Sequence, residues 1–213
     1  MFLASSALPT GAFAWSQGLE AAAGAGVVKG PAELKTYLED LLMGSLASFD
    51  LPLLYRSFAA AKREDGPALI AYGQWVLAGR ETKELYQAEV EMGRALGRLI
   101  QSLGAPTFWA GTDLGYVASW GLLAAMVATN LTPRRLGRVY VHGFLENQLA
   151  AASRVVRLGQ TAARQILLAL ASVAEEATRV AEGLKDDEIG ARLLGLAIMS
   201  SWHETQNSRL FRS

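Results

Sequence analysis

The chain has 213 residues, and its 20 basic and 20 acidic side chains leave a formal net charge of zero. This length suits one domain with a sizeable core, and the balanced charge provides no field that would attract nucleic acid or an anionic membrane. The absence of cysteine excludes disulfides, thiolate metal sites and cysteine nucleophiles.

The first half of the chain consists of helical patterns separated by breaks. Residues 1–7 are predicted to be the end of a first helix, and a second helix is expected from about residue 15 to 26. Pro31 is predicted to begin a long helix, because proline suits the first helical position. Asp50 is predicted as the N-cap of the next helix. The break at 64–67 should precede a helix that ends near residue 78.

The second half begins with a long amphipathic helix that Thr82 is predicted to cap. Its apolar stripe contains Leu85, Met92, Leu96, Leu99 and Leu103. The charged side chains that we assign to its exposed face are Glu84, Glu89, Glu91, Arg94 and Arg98.

The uncharged run 114–133 reaches membrane-spanning length, but it contains polar residues and predicts a buried helix that ends near residue 129. Pro133 should begin the next helix, and further helices are expected over 161–181 and 188–207. Because no stretch alternates with period two, we predict an all-α, single-domain bundle of about ten helices over residues 1–213.

Motifs that carry enzyme chemistry are absent. The sequence contains no G-x-x-x-x-G-K-[ST], no G-x-S-x-G and no H-E-x-x-H. His142 and His203 are predicted to be packed or hydrogen-bonded imidazoles rather than metal ligands, and 186–188 a solvated loop. We therefore expect no catalytic residue, no cofactor and no metal site, and the protein is predicted not to be an enzyme.

The composition bears on whether the chain binds a partner, and the N-terminal sequence bears on where in the cell it acts. Hydrophobic residues reach 51% and charged residues only 19%, which indicates a large alanine-rich core or an apolar surface that a partner covers, and we favour the partner. The N-terminus has no basic segment followed by a long apolar run, so we expect a cytoplasmic protein.

Four segments carry a family resemblance, and they occur in the family's order. They are Leu8-Pro-Thr-Gly-Ala-Phe-Ala-Trp-Ser-Gln-Gly-Leu-Glu20, Arg80-Glu-Thr-Lys-Glu-Leu85, the stretch 146–160, and His203-Glu-Thr-Gln-Asn-Ser-Arg-Leu-Phe-Arg-Ser213. Together they resemble the urease accessory proteins of the UreF family over nearly the whole chain. The chain departs from the family pattern at Arg154, where lysine is usual, at Arg157, where proline is common, and at Asn207, where tyrosine is usual.

The resemblance implies an all-helical homodimer that joins UreD (also called UreH) and the GTPase UreG on apo-urease. Such proteins help to deliver nickel and are thought to govern the GTPase cycle of UreG. The alternative is a helical scaffold or dimerisation module unrelated to urease. A terpene-synthase-like enzyme would need the motif D-D-x-x-D, which is absent, and two histidines without cysteine disfavour a nickel metallochaperone.

The candidate partner-binding residues come from these segments. They are Pro9, Gly11, Phe13, Trp15, Ser16, Gly18, Glu20, Arg80, Glu81, Arg154, Gln160, His203, Glu204, Thr205, Gln206, Ser208, Arg209, Leu210, Phe211 and Arg212. We hypothesise that the tail, 208–213, is a flexible segment that docks on UreD, and that Glu20 and Arg154 face UreG.

Three simpler interpretations remain open. Glu20 is also suited to the positive end of its own helix. For Arg80 and Glu81 we favour pairing with nearby residues over a partner contact. The tail could also be an ordinary frayed terminus.

Overall fold

The computed structural model describes residues 3, 8–109, 111–128 and 130–212. Within these residues it contains ten α-helices and no strand, which confirms the all-α prediction. The helices are α1 Leu19–Gly24, α2 Pro31–Leu41, α3 Leu51–Lys62, α4 Gly66–Ala78, α5 Lys83–Ser102, α6 Gly115–Val127, α7 Pro133–Val155, α8 Gln160–Ala169, α9 Ala171–Gly183 and α10 Leu194–Glu204. The helix predicted over 1–7 lies, apart from residue 3, outside the described residues.

Side-chain caps explain why several helices begin where the sequence predicts. The Thr82 hydroxyl accepts from the Leu85 N–H at 3.2 Å, and the Asp65 carboxylate accepts from the Ala68 N–H at 3.1 Å. Thr132 caps α7 in the same way. Each cap satisfies a backbone donor that has no partner inside its own helix.

The prediction that Asp50 caps a helix is wrong. Residues 31–62 form one uninterrupted helical run, in which a π-helical segment, Leu42–Asp50, joins α2 to α3. Asp50 has helical backbone angles and makes no side-chain cap. Pro52 lacks the N–H that would reach the Ser48 carbonyl, and this carbonyl accepts from the Gly190 N–H at 3.1 Å instead. A contact with a segment some 140 residues away along the chain thus helps to accommodate the proline.

Helix α6 lies in the centre of the fold, between α3 and α5. The close approach of α6 to α3 depends on Gly121, because a β-carbon there would lie 2.9 Å from the Phe58 nitrogen. The close approach of α6 to α5 depends on Gly93, where a β-carbon would lie 2.4 Å from the Gly115 carbonyl carbon. Leu122 is completely buried. The uncharged run is therefore a buried helix, as predicted. None of the helices in the described ranges has the length and apolar content that a bilayer crossing requires.

Three predicted helices have different bounds in the structure. The helix expected from about residue 15 begins at Leu19, because Gly18 before it has a left-handed φ of 82°. The run 161–181 is divided into α8 and α9 at Leu170, whose side chain is fully buried. The last helix begins at Leu194 rather than at 188, because the residues before it leave the helical conformation and lie along the π-helical segment. There the Arg192 N–H donates to the Gly44 carbonyl at 3.0 Å.

Candidate partner-binding site at the joined chain ends

The N-terminal motif forms a tight loop that presents one aromatic side chain and buries the next. Gly11 and Gly18 have φ values of 70° and 82°, in the left-handed region. The 3₁₀ turn Ala12–Ala14 lies between them. Phe13 is 69% exposed, whereas Trp15 is buried. The backbone angles that glycine permits therefore fold this loop back onto the helical body.

Glu20 binds the C-terminal tail of its own chain. Its two carboxylate oxygens accept the backbone N–H of Leu210 at 2.8 Å and of Phe211 at 2.9 Å. The Gln206 side-chain amide is a third donor, at 3.4 Å. Because Glu20 is buried and accepts from three groups of the C-terminal region, its main role in this structure is to hold the two ends of the chain together.

His203 lies beneath this contact and is completely buried. Its Nε2 is 3.1 Å from a Glu20 oxygen, and its Nδ1 is 2.8 Å from a Glu84 oxygen. The second oxygen of Glu84 accepts from the Arg209 guanidinium at 2.8 Å. The prediction of a packed or hydrogen-bonded imidazole is confirmed for His203, but it is wrong for His142, which is exposed. We refer to Glu20, Glu84, His203 and Arg209 as the tail clamp.

Placing Glu84 and Glu89 on the exposed face of α5 was wrong, because both carboxylates are buried. The sequence contained a signal for Glu89, which lies four residues after Leu85 and three before Met92, within the apolar stripe itself. Glu84 has no such signal, because its partners His203 and Arg209 lie more than a hundred residues further along the chain.

The last residues of the tail pack on the loop and on α7. The Phe211 side chain is buried, and the Arg154 guanidinium lies 5.7 Å from the centre of its ring. The Arg212 N–H donates to the Ala14 carbonyl at 2.9 Å, and its guanidinium lies 5.9 Å from the Trp15 ring. Residues 208–212 are thus ordered against their own chain, while Leu210 remains 67% exposed.

Arg80 lies apart from the tail clamp, in a buried ionic junction. Its Nη2 is 2.7 Å from a carboxylate oxygen of Asp50 and 2.7 Å from one of Glu89. The other oxygen of Glu89 accepts the Val117 N–H at 2.8 Å, at the start of α6. Arg80 therefore pairs within its own chain, but with acids nine and thirty residues away rather than with the nearby residues that we predicted.

Burial shifts the pKa values in this junction. Burial raises the pKa of Asp50, and the Arg80 charge opposes that shift only in part. Burial alone would lower the pKa of Arg80, but the Asp50 and Glu89 carboxylates outweigh it and raise the pKa. Burial also raises the pKa of Tyr116, which keeps this phenol neutral. The junction therefore holds ionisable groups largely inside the fold, with the Arg80 side chain only 12% exposed.

The remaining candidates lie around the clamp or apart from it. Ser16 is buried, and its hydroxyl accepts from the Glu20 N–H at 3.3 Å. Four further candidate residues make backbone or side-chain hydrogen bonds in the turn that leads into the tail. They are Glu204, Thr205, Gln206 and Ser208. Three candidates have exposed side chains: Pro9 in the N-terminal loop, Glu81 next to the Thr82 cap, and Gln160 at the start of α8. Arg157 has a φ of 51°, a value closed to the proline that is common there, and α7 still ends at Val155.

No metal site accompanies these clusters in the part of the chain that the structure describes. No group of three or more histidine, aspartate or glutamate side chains there is arranged to hold a metal ion. In the tail clamp both histidine nitrogens already contact carboxylates, and Arg209 uses a further oxygen.

The contacts described above define an all-helical protein in which two sequence motifs, the N-terminal loop and the C-terminal tail, form one shared surface.

Residues 28–171 match the sequence model of the UreF family. The urease accessory protein UreF of Alkalilimnicola ehrlichii is 39% identical, over 99% of this chain and 93% of its own length. Those of Chromohalobacter salexigens and Pseudomonas putida are each 41% identical and match at least 99% of this chain. The chain therefore belongs to the UreF family.

Proposed function

We propose that this protein is a urease maturation factor that acts without catalysis of its own. As a homodimer in the cytoplasm, it binds UreD (UreH) and the GTPase UreG on apo-urease while nickel is delivered to the enzyme. Its partners are these proteins, and neither nucleic acid nor a membrane is among them. Membership of the UreF family supports the maturation role.

The observation that carries this proposal is the joined pair of chain ends. The buried motif residues Glu20, His203 and Phe211 hold the loop and the tail together, and this contact leaves Phe13 and Leu210 exposed, one from each segment. Exposed apolar side chains beside arginine are typical of protein interfaces. Full burial of such a side chain contributes about 1.5–3 kcal/mol. The partner-facing role of the motifs therefore falls to their exposed members.

We propose that the tail binds UreD and that the N-terminal loop, together with Arg154, binds UreG. Because Arg154 contacts Phe211 and Arg212 contacts Trp15, these two sites adjoin. Binding at one would then alter the other through the tail. To govern the GTPase cycle, the complex must bind the GTP-bound and GDP-bound forms of UreG with different affinities, since only differential binding shifts such a switch. Equal affinities for both forms would refute this part of the proposal.

The test combines complementation with co-purification. The chain is expressed in cells whose urease operon lacks its own ureF gene, and urease activity, urease nickel content and the recoveries of UreD and UreG are measured. We expect wild type to restore activity and nickel content. Phe13→Ser and Leu210→Ser should each reduce recovery of UreD or UreG about tenfold or more, because each removes an apolar contact worth more than about 1.4 kcal/mol.

Leu168→Ser is the matched control, because Leu168 is 76% exposed on α8 and belongs to neither motif. It should leave both recoveries unchanged. Deletion of 208–213 should abolish binding of UreD while the helical content is retained. If all the surface variants behaved like the control, the assignment of this surface would be wrong. If the wild type restored no activity and did not co-purify with UreD, the maturation role itself would be wrong.

A further inference from the structure

A small cavity lies between the buried ionic junction and the N-terminal loop. It has a volume of about 40 Å³, and its walls come from the loop, α2, the π-helical segment, α5, α6, α7 and α10. Asp50, Arg80 and Glu89 of the junction line one part of it, and Trp15 of the loop lines another. The cavity is therefore a space with charged walls inside the fold.

Two side chains on the walls of this cavity have buried polar atoms without a partner. Arg80 Nε and Gln148 Oε1 are closed to solvent, and neither makes a hydrogen bond to the part of the chain that the structure describes. The whole of Gln148 is only 2% exposed. Because buried polar groups in native proteins nearly always have a hydrogen-bond partner, these two atoms call for one inside the cavity.

The charges and the size of the cavity restrict what this partner can be. Arg80 Nε carries a hydrogen that needs an acceptor, whereas Gln148 Oε1 needs a donor. A cation cannot accept from the guanidinium, and an anion would face the carboxylates of Asp50 and Glu89. One water molecule needs about 10–15 Å³, so a cavity of about 40 Å³ has room for at least one. A neutral molecule that both donates and accepts, and that is no larger than water, fits all these conditions.

We propose that this cavity binds ordered water, which accepts a hydrogen bond from Arg80 Nε and donates one to Gln148 Oε1. The Asp50 carboxylate lines the same cavity and is a further acceptor for the second proton of the water. The water joins α7, which carries Gln148, to the ionic junction next to Trp15 of the N-terminal loop. It belongs to the folded chain alone, so this inference does not depend on the role in urease maturation.

The first test is a crystal structure of the full chain at a resolution that defines ordered water. We expect a water oxygen within about 3.2 Å of both Arg80 Nε and Gln148 Oε1. A dry cavity, a metal ion coordinated by oxygen atoms alone, or a direct hydrogen bond from Arg80 Nε to a protein oxygen would overturn the proposal.

The second test asks whether Arg80 and Gln148 contribute to stability through the same water. Arg80→Lys keeps the positive charge but removes Nε, and Gln148→Met keeps the length of the side chain but removes the acceptor. Each single variant should break the bridge, whereas the double variant can break it only once. The decrease in Tm of the double variant should therefore be smaller than the sum of the single decreases by about 1 °C or more. Additive decreases would show that no water is shared.

Ser57→Ala is the matched control for this comparison. Ser57 Oγ is also buried and without a hydrogen-bond partner in the described part of the chain, but Ser57 does not line this cavity. Combined with Arg80→Lys, it should change Tm additively. Non-additivity of the same size in this control would trace the coupling to a general rearrangement around Arg80, and the proposal would fail.

Discussion

Replacing Arg80 with methionine should strongly destabilise the fold. The side chain is 12% exposed and lies 2.7 Å from oxygens of both Asp50 and Glu89. Methionine has a similar length but carries no charge, so two buried carboxylates would lose their only counter-charge among the described residues. Removing one partner from a buried ionic group costs about 3–5 kcal/mol, because the remaining charge stays desolvated.

This cost can be measured by thermal unfolding. For a chain of this size each kcal/mol lowers Tm by about 2–4 °C, so the expected decrease is about 6–20 °C. Arg94→Met is the matched control, because the Arg94–Asp113 pair is similarly short, at 2.8 Å, but Arg94 is 63% exposed. An exposed pair contributes about 0–1 kcal/mol, so the control should lower Tm by no more than about 4 °C.

A second variant locates the cause of the instability. Adding Asp50→Asn to Arg80→Met removes one of the uncompensated carboxylates, and part of the lost stability should return. If Arg80→Met cost less than about 1 kcal/mol, the junction would contribute no more than an exposed ion pair, and the reasoning from burial would be refuted.

Two further predictions concern packing and pH. Gly93→Ala should cost about 1–3 kcal/mol in urea unfolding, because its β-carbon would lie 2.4 Å from the Gly115 carbonyl carbon. Gly143→Ala, in α7 with open space around the new β-carbon, should stabilise by up to about 1 kcal/mol, and an equal effect of both variants would contradict the packing. Burial raises the pKa of Asp50 in the folded protein, so the folded state binds more protons than the unfolded state, and this contribution to stability is lost as the pH rises. Asp50→Asn should therefore gain stability relative to wild type in unfolding titrations at increasing pH, and a gain on acidification would refute the sign.

The N-terminal loop and the tail show what the sequence motifs could predict and what they could not. The sequence identified both segments and the family that they resemble. It did not indicate that Glu20, predicted to face a partner, is engaged by Leu210, Phe211 and His203 of its own chain. These groups lie about 190 residues away along the chain, and no local pattern encodes such a distance.

The features that the amino-acid pattern predicted correctly are local: the helices, most of their starts and, among the described residues, the lack of strands. The Thr82 cap depends on atoms within three residues of one another, so a short stretch was sufficient to predict it. The burial of particular charges and the contact between the N-terminal loop and the tail depend instead on how distant segments pack together. Glu84, Glu89 and Asp50 are tolerated inside the fold because distant helices and the tail supply their partners. A single amphipathic pattern carries no information about groups that only folding brings near.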